Sequence, residues 1–225
     1  MNPLSSFLCA AMATFACAAA SAGLCESGQR QSPIDIRQIT RQVLPPLEVS
    51  YQTTPLKLDN DGHTVRVRFG KGSVLRIGKE NYTLQQFHFH TPGGDKIAGE
   101  EFPMAAHLLH KSQSGQLLAV VVLFRTGQEN ALLQTLLPMI PAKQEGSRVR
   151  ANVSVNANRL LPSNLSYFRY AGSVTAPPCT EGVDWIVIKQ PLQVSTDQLA
   201  RYRQHFQDNA RAVQPLHQRL VLESQ

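Results

Sequence analysis

The chain has 225 residues, 42% of them hydrophobic and 7% aromatic, with a formal charge of +6 and a pI near 9.4. That length and apolar content suit one domain with a sizeable core and leave no room for a second. Lys and Arg are dispersed and no aromatic and basic module recurs, so nucleic acid is not expected as a partner. Arg66 and Arg68 alternate with Val65 and Val67 and read as the wet face of a strand.

Residues 1–25 carry no charged side chain, and Leu4 to Ala20 is an alanine-rich apolar run too weak and short for a membrane span. It reads as a secretory signal over 1–22 with Ala20-Ser21-Ala22 as the cleavage site, although no Lys or Arg stands near Met1. A retained N-terminal anchor is the alternative; a lipoprotein would use Cys17, but Phe15-Ala16 before it fits poorly. Cleavage leaves one domain over 23–225 that is exported, periplasmic or secreted, with no membrane association. Removal of Cys9 and Cys17 leaves Cys25 and Cys179 in an oxidising setting, where a disulfide between them is expected.

Short alternating or apolar runs then recur with turn signals between them: Leu56–Leu58, Thr64–Phe69, Val74–Ile77, Tyr82–His90, Met104–His110, Leu117–Phe124 and Val183–Ile188. Short connections favour antiparallel pairing, and the continuous Leu and Val of Leu117–Phe124 predict a strand covered on both faces. Helix signals are few. Asn130 caps a predicted helix over Ala131–Leu137 that ends at Pro138, and Ser195 with Gln198 forms a capping box opening Thr196–Phe206. The predicted fold class is mainly β: a large mixed or mostly antiparallel sheet with a few peripheral helices, a closed barrel remaining open from pattern alone.

The stretch with the clearest chemistry is Gln85-Gln86-Phe87-His88-Phe89-His90. Residues two apart on a strand share a face, so His88 and His90 project together while Phe87 and Phe89 project oppositely. His107 lies on the next run, and antiparallel pairing brings it opposite the first two. Three neutral imidazoles with an open fourth position describe a catalytic rather than a structural zinc site. A His-x-His pair also occurs in cupin-type barrels, which need a glutamate shortly after it, and Gly94 stands there.

Several motifs, in order, resemble the α-class carbonic anhydrases: Gln31-Ser32-Pro33-Ile34-Asp35-Ile36, Asp61-Gly62-His63, Gln86 to His90, Ala106 to His110, Gly172 to Val183, and Asn209 to Leu216. The resemblance runs from Cys25 to about Leu222. It implies a twisted, mostly antiparallel sheet, with Zn²⁺ held by His88, His90 and His107 and water in the fourth position. It also implies His63 as proton shuttle, Gln86 as hydrogen-bond partner of the first ligand, and Thr175 as the gatekeeper that orients the nucleophile. Leu109, Val120, Val174, Val183 and Trp185 would form the apolar wall for carbon dioxide, and Cys25 with Cys179 the disulfide of secreted members. The implied reaction is reversible hydration of carbon dioxide to bicarbonate and a proton. The same site chemistry extends to small esters.

The chain also departs from that pattern. Where members read His-Thr-Pro-Ser-Glu-His-Thr, this chain reads His90-Thr91-Pro92-Gly93-Gly94-Asp95-Lys96, so Gly94 replaces the glutamate that orients the gatekeeper. Ala105 replaces the glutamate that supports the third ligand, and Ala176 stands where threonine is usual. Asp95, on an extended backbone, is expected to point away from the vacated place. Losing a ligand's supporting partner costs 10–100-fold in metal affinity or activity. The expectation is therefore slow hydration that Gly94→Glu would raise, against the alternative of a zinc-binding or interaction protein with little or no catalysis. Oligomeric state is not legible.

Overall fold

The computed structural model describes residues 25–141 and 145–224; the leader expected over 1–22 lies outside them. The first strands are β1 (Asp35–Ile36), β2 (Ile39–Arg41), β3 (Leu47–Ser50), β4 (Thr54–Asn60), β5 (Val65–Arg68), β6 (Val74–Ile77), β7 (Glu80–His90) and β8 (Lys96–Ile97). They are followed by β9 (Met104–Ser112), β10 (Leu117–Thr126), β11 (Glu145–Val155), β12 (Tyr167–Ser173), β13 (Glu181–Ile188), β14 (Leu192–Val194) and β15 (Val221–Glu223). β1 and β8 form a small parallel pair. The rest build an open 13-stranded sheet with the main path β11-β4-β5-β7-β9-β10-β13-β12-β15-β2, while β3, β6 and β14 join from the side. An open path with β11 and β2 at its ends rules out the barrel.

Neighbours joined by short turns are antiparallel, as β4 with β5 and β9 with β10. The centre departs from that rule: β10 and β13 run parallel, because the chain crosses through a helix and two further strands between them. The sheet is therefore mixed. β10 sits where both faces are covered. Leu118, Val120, Val122 and Phe124 join the main core, and Ala119, Val121 and Leu123 join a second one with Ile34, Phe102, Tyr170 and Trp185. Its unbroken apolar run follows from that two-sided burial.

The strand that matters most is β7. It pairs with β9 so that His88 lies opposite His107, and its register slips between Leu84 and Gln86, leaving Gln85 as an extra residue. Before the slip Tyr82 and Leu84 enter the main core; after it Phe87 and Phe89 do. One bulge has switched the phase of a period-two strand. Without it, the histidines would share the core face with Tyr82 and Leu84.

The helices sit at the periphery as expected, each slightly shorter than read from sequence. Asn130 caps Ala131–Leu136 by accepting from the N–H groups of Leu132 and Leu133, and a 3₁₀ turn over Leu137–Met139 replaces the last helical residue where Pro138 intervenes. Ser195 and Gln198 form the full capping box of Thr196–His205, and Phe206 is its C-terminal cap rather than a helical residue. Cys25 and Cys179 are joined by a disulfide across 154 residues. A loop of that length corresponds to about 4–5 kcal/mol in the chain-entropy view.

Asp95 ties two parts of the fold together. Ile34 N–H and Tyr170 O–H both donate to its Oδ1, at 3.0 and 2.8 Å, and it is 1% exposed. Burial pushes its carboxyl up to about 6, against the two hydrogen bonds and the charge of Arg219, which act the other way. Because the folded-state value lies above the unfolded one, the folded chain holds the proton more tightly. Stability contributed by this group is therefore present below about pH 4 and lost as pH rises through 6. Urea unfolding from pH 4 to pH 7 should show Asp95→Asn gaining on the native chain by up to roughly 3 kcal/mol. A gap that does not change with pH would contradict this.

Candidate metal centre

The bulge in β7 delivers His88 and His90 to the cleft side of the sheet, and the pairing with β9 sets His107 beside them. The three offer one nitrogen each, all within 4.8 Å of one another, and Nε2 of His88 lies 3.0 Å from Nε2 of His90. The orientation of two of the rings has an identifiable cause. His88 Nδ1 lies 3.0 Å from Gln86 Oε1, and His90 Nδ1 lies 2.9 Å from the carbonyl oxygen of Asn209. Both partners only accept, so each Nδ1 carries the proton and each Nε2 keeps its lone pair for the shared point.

Burial holds all three imidazoles below their usual range, His88 and His107 well below it, with mutual repulsion adding to the effect at those two. They are neutral, as metal ligands must be. His107 differs in one respect. Its Nε2 is buried with no hydrogen-bond partner among the described residues, and the residue two before it, on the same strand face, is the buried Ala105. Three neutral nitrogen donors, two of them with fixed tautomers, fit a borderline-soft divalent ion.

The trio borders a cavity of about 570 Å³. Gln86, His63, Thr175, Leu109, Val174, Val183 and Trp185 all line it. His63 is exposed, with its N–H on Asp61 Oδ1 and its carbonyl accepting from Asn209 Nδ2 at 2.7 Å. Trp185 stands edge-on to His107 and donates its Nε1–H to the Ser173 carbonyl at 3.1 Å.

Val120 does not line the cavity. It is fully buried in the main core, and Leu117, Leu118 and Ala119 are the β10 residues on the lining; Val120 faces away from Ala119, as neighbours on a strand do. Arg66 and Arg68 were expected on a solvated strand face; that wet face is the wall of the cavity. Asn209 was quoted in a motif without a role, yet it links His90, His63 and Thr91, the last by accepting from its N–H at 2.8 Å. An extended segment before a buried histidine gives no sequence signal for a main-chain carbonyl partner, so this contact was not legible.

A family model described as eukaryotic-type carbonic anhydrase matches residues 18–225. The chain belongs to the carbonic anhydrase family. It is 38% identical over 202 residues to a carbonic anhydrase of Pectobacterium carotovorum, covering 88% of this chain and 82% of that one. It is 36% identical to dioscorin dioA3 of Dioscorea japonica, covering 88% and 76%. Among solved structures, the α-carbonic anhydrase of Photobacterium profundum matches with a TM-score of 0.84 at 38% identity, covering 89% of this chain and 92% of that one. Carbonic anhydrases in general hydrate carbon dioxide and depend on zinc.

The turn after His90 differs in its backbone from the extended one expected from the sequence. Gly94 has φ +85°, so the backbone is left-handed where an extended one was expected, and Asp95 is turned toward Ile34 and Tyr170. Its Oδ2 is buried without a partner among the described residues, so neither oxygen serves Thr175. A side chain at Gly94 would be strained, and its Cβ would stand 3.3 Å from Pro33 Cγ. The simple repair Gly94→Glu is therefore costly: in urea unfolding it should lose about 1–3 kcal/mol. Stability equal to that of the native chain would show that the turn accepts a side chain.

Proposed function

We propose that this carbonic anhydrase binds Zn²⁺ through His88, His90 and His107 and hydrates carbon dioxide slowly. The observation that carries the proposal is the convergence of three neutral imidazole nitrogens within 4.8 Å at a cavity with one apolar wall. Zinc held by three neutral ligands supplies a Lewis acid that lowers the pKa of water to about 7, giving a nucleophile at neutral pH.

The chain's own residues do the rest. Gln86 and the Asn209 carbonyl hold the Nδ1 protons of His88 and His90 and aim both Nε2 atoms at the same point. Leu109, Val183 and Trp185 exclude water and offer the small, apolar substrate a dispersive wall. His63, exposed on the lining, is placed to pass a proton between cavity and solvent. Thr175, also on the lining, offers a hydroxyl without the carboxylate that would fix its direction. Gly94 and Ala105 each remove a support, at 10–100-fold apiece.

The domain over 23–225 is read as the mature protein, exported after loss of the leader. The disulfide supports an oxidising compartment, and no described helix is long and apolar enough to cross a membrane. A second reading, zinc binding without useful catalysis, draws on the orphaned Nε2 of His107 and on the two oxygens of Asp95 that do not serve Thr175.

Stopped-flow hydration with zinc-loaded protein should give kcat/KM of about 10⁴–10⁷ M⁻¹s⁻¹, the diffusional ceiling reduced by two missing supports. No rate above buffer would leave the binding reading, and a rate at the ceiling would show that the missing glutamates do not matter. In chelator competition, His107→Ala should weaken zinc retention at least about 100-fold. Full occupancy in that variant, with the native circular dichroism spectrum, would contradict the ligand set.

A further inference from the structure

The β5 wall of the cleft carries a feature that carbon dioxide hydration does not use. Arg66 lies directly opposite His88, and Arg68 directly opposite Gln86, in the antiparallel register of β5 and β7. Directly opposed residues project from the same face with Cβ atoms about 4.5–5.5 Å apart. Both guanidinium groups therefore stand beside residues of the metal centre, and both line the cavity.

Each is steadied by one carboxylate, Arg66 by Asp61 and Arg68 by Asp59. Their side chains remain 40% and 48% exposed, and one carboxylate engages only part of a guanidinium's five N–H donors. A third lining arginine, Arg211, donates to Gln31 Oε1 and to the carbonyls of Ser32 and Cys25. Against these three cations stand Asp59, paired with Arg68, and the lining carboxylates Asp61 and Asp208, so charge is balanced and what the two β5 arginines offer a ligand is their remaining N–H donors. Other lining residues, Leu109, Val174, Val183 and Trp185, are apolar. A volume of about 570 Å³ lies in the range of pockets that enclose whole organic molecules, far beyond what a triatomic substrate fills.

We propose that Arg66 and Arg68 form an anion subsite for a small organic carboxylate, its head held by the guanidinium groups and its apolar body laid toward Leu109, which stands in register with Arg68 across Gln86. Guanidinium presents parallel N–H donors that match a carboxylate two at a time. The apolar surfaces favour an organic acid over a bare inorganic anion. The subsite does not depend on metal chemistry, so it stands or falls separately from the proposed hydration.

Benzoate and its neutral analogue benzamide test it by calorimetric titration of the full chain, zinc-loaded and metal-stripped, at one ionic strength. Metal-stripped protein should bind benzoate about tenfold or more tightly than benzamide. Combined Arg66→Gln and Arg68→Gln should abolish that preference while leaving benzamide affinity unchanged, which also reports an intact cavity. Equal affinity for the two ligands in the native chain would overturn the proposal without reference to any variant. So would benzoate binding that requires zinc, or a preference that survives in the double variant.

Discussion

The site depends on one slipped residue in β7. A strand has only two faces, and a sequence that alternates strictly cannot send Tyr82 and Leu84 into the core and His88 and His90 away from it. Gln85 resolves this by standing outside the ladder, and everything after it changes face. Phe87 and Phe89 then continue the core begun by Tyr82 and Leu84, while the histidines meet His107 across the β7 and β9 pairing. Core packing and the convergence of the three histidines are thus two consequences of one local irregularity. Burial of Phe87 and Phe89 anchors the strand, while Gln86 and the Asn209 carbonyl orient the rings of His88 and His90.

Around that centre the supports are uneven. His88 and His90 each have an acceptor that fixes the tautomer, one a side chain two residues away and one a main-chain carbonyl 119 residues on. His107 has none among the described residues, and Ala105 stands where a carboxylate would reach it. The turn at Gly94 has a structural role of its own. Its left-handed backbone redirects Asp95 to Ile34 and Tyr170, so the segment has been put to a structural use. A side chain at Gly94 would be strained in that backbone, so a glutamate does not enter the turn without cost.

Much of this was legible in the chain because local pattern and tertiary role agree. The capping box at Ser195, the apolar run of β10 and the His88, His90 and His107 trio each need only short-range geometry to be read. What escaped depends on partners far apart in sequence. β11 and β12 were not read as strands, and the parallel pairing of β10 with β13 follows from a long crossover that no local signal encodes. Val120 was placed in the cavity one residue out of phase, an error that period-two structure turns into the opposite face. Arg66 and Arg68 were correctly seen as a wet face, but only the fold shows that this face closes around a cavity.

The central claim is that three imidazoles of this chain form one coordination sphere. X-ray absorption spectroscopy at the zinc edge on stoichiometrically loaded protein tests it directly. The expected result is four light donors at about 2.0–2.1 Å, three of them with the multiple-scattering signature of imidazole. Fewer than two imidazoles, or a sphere made mainly of carboxylate or sulfur donors, would contradict it.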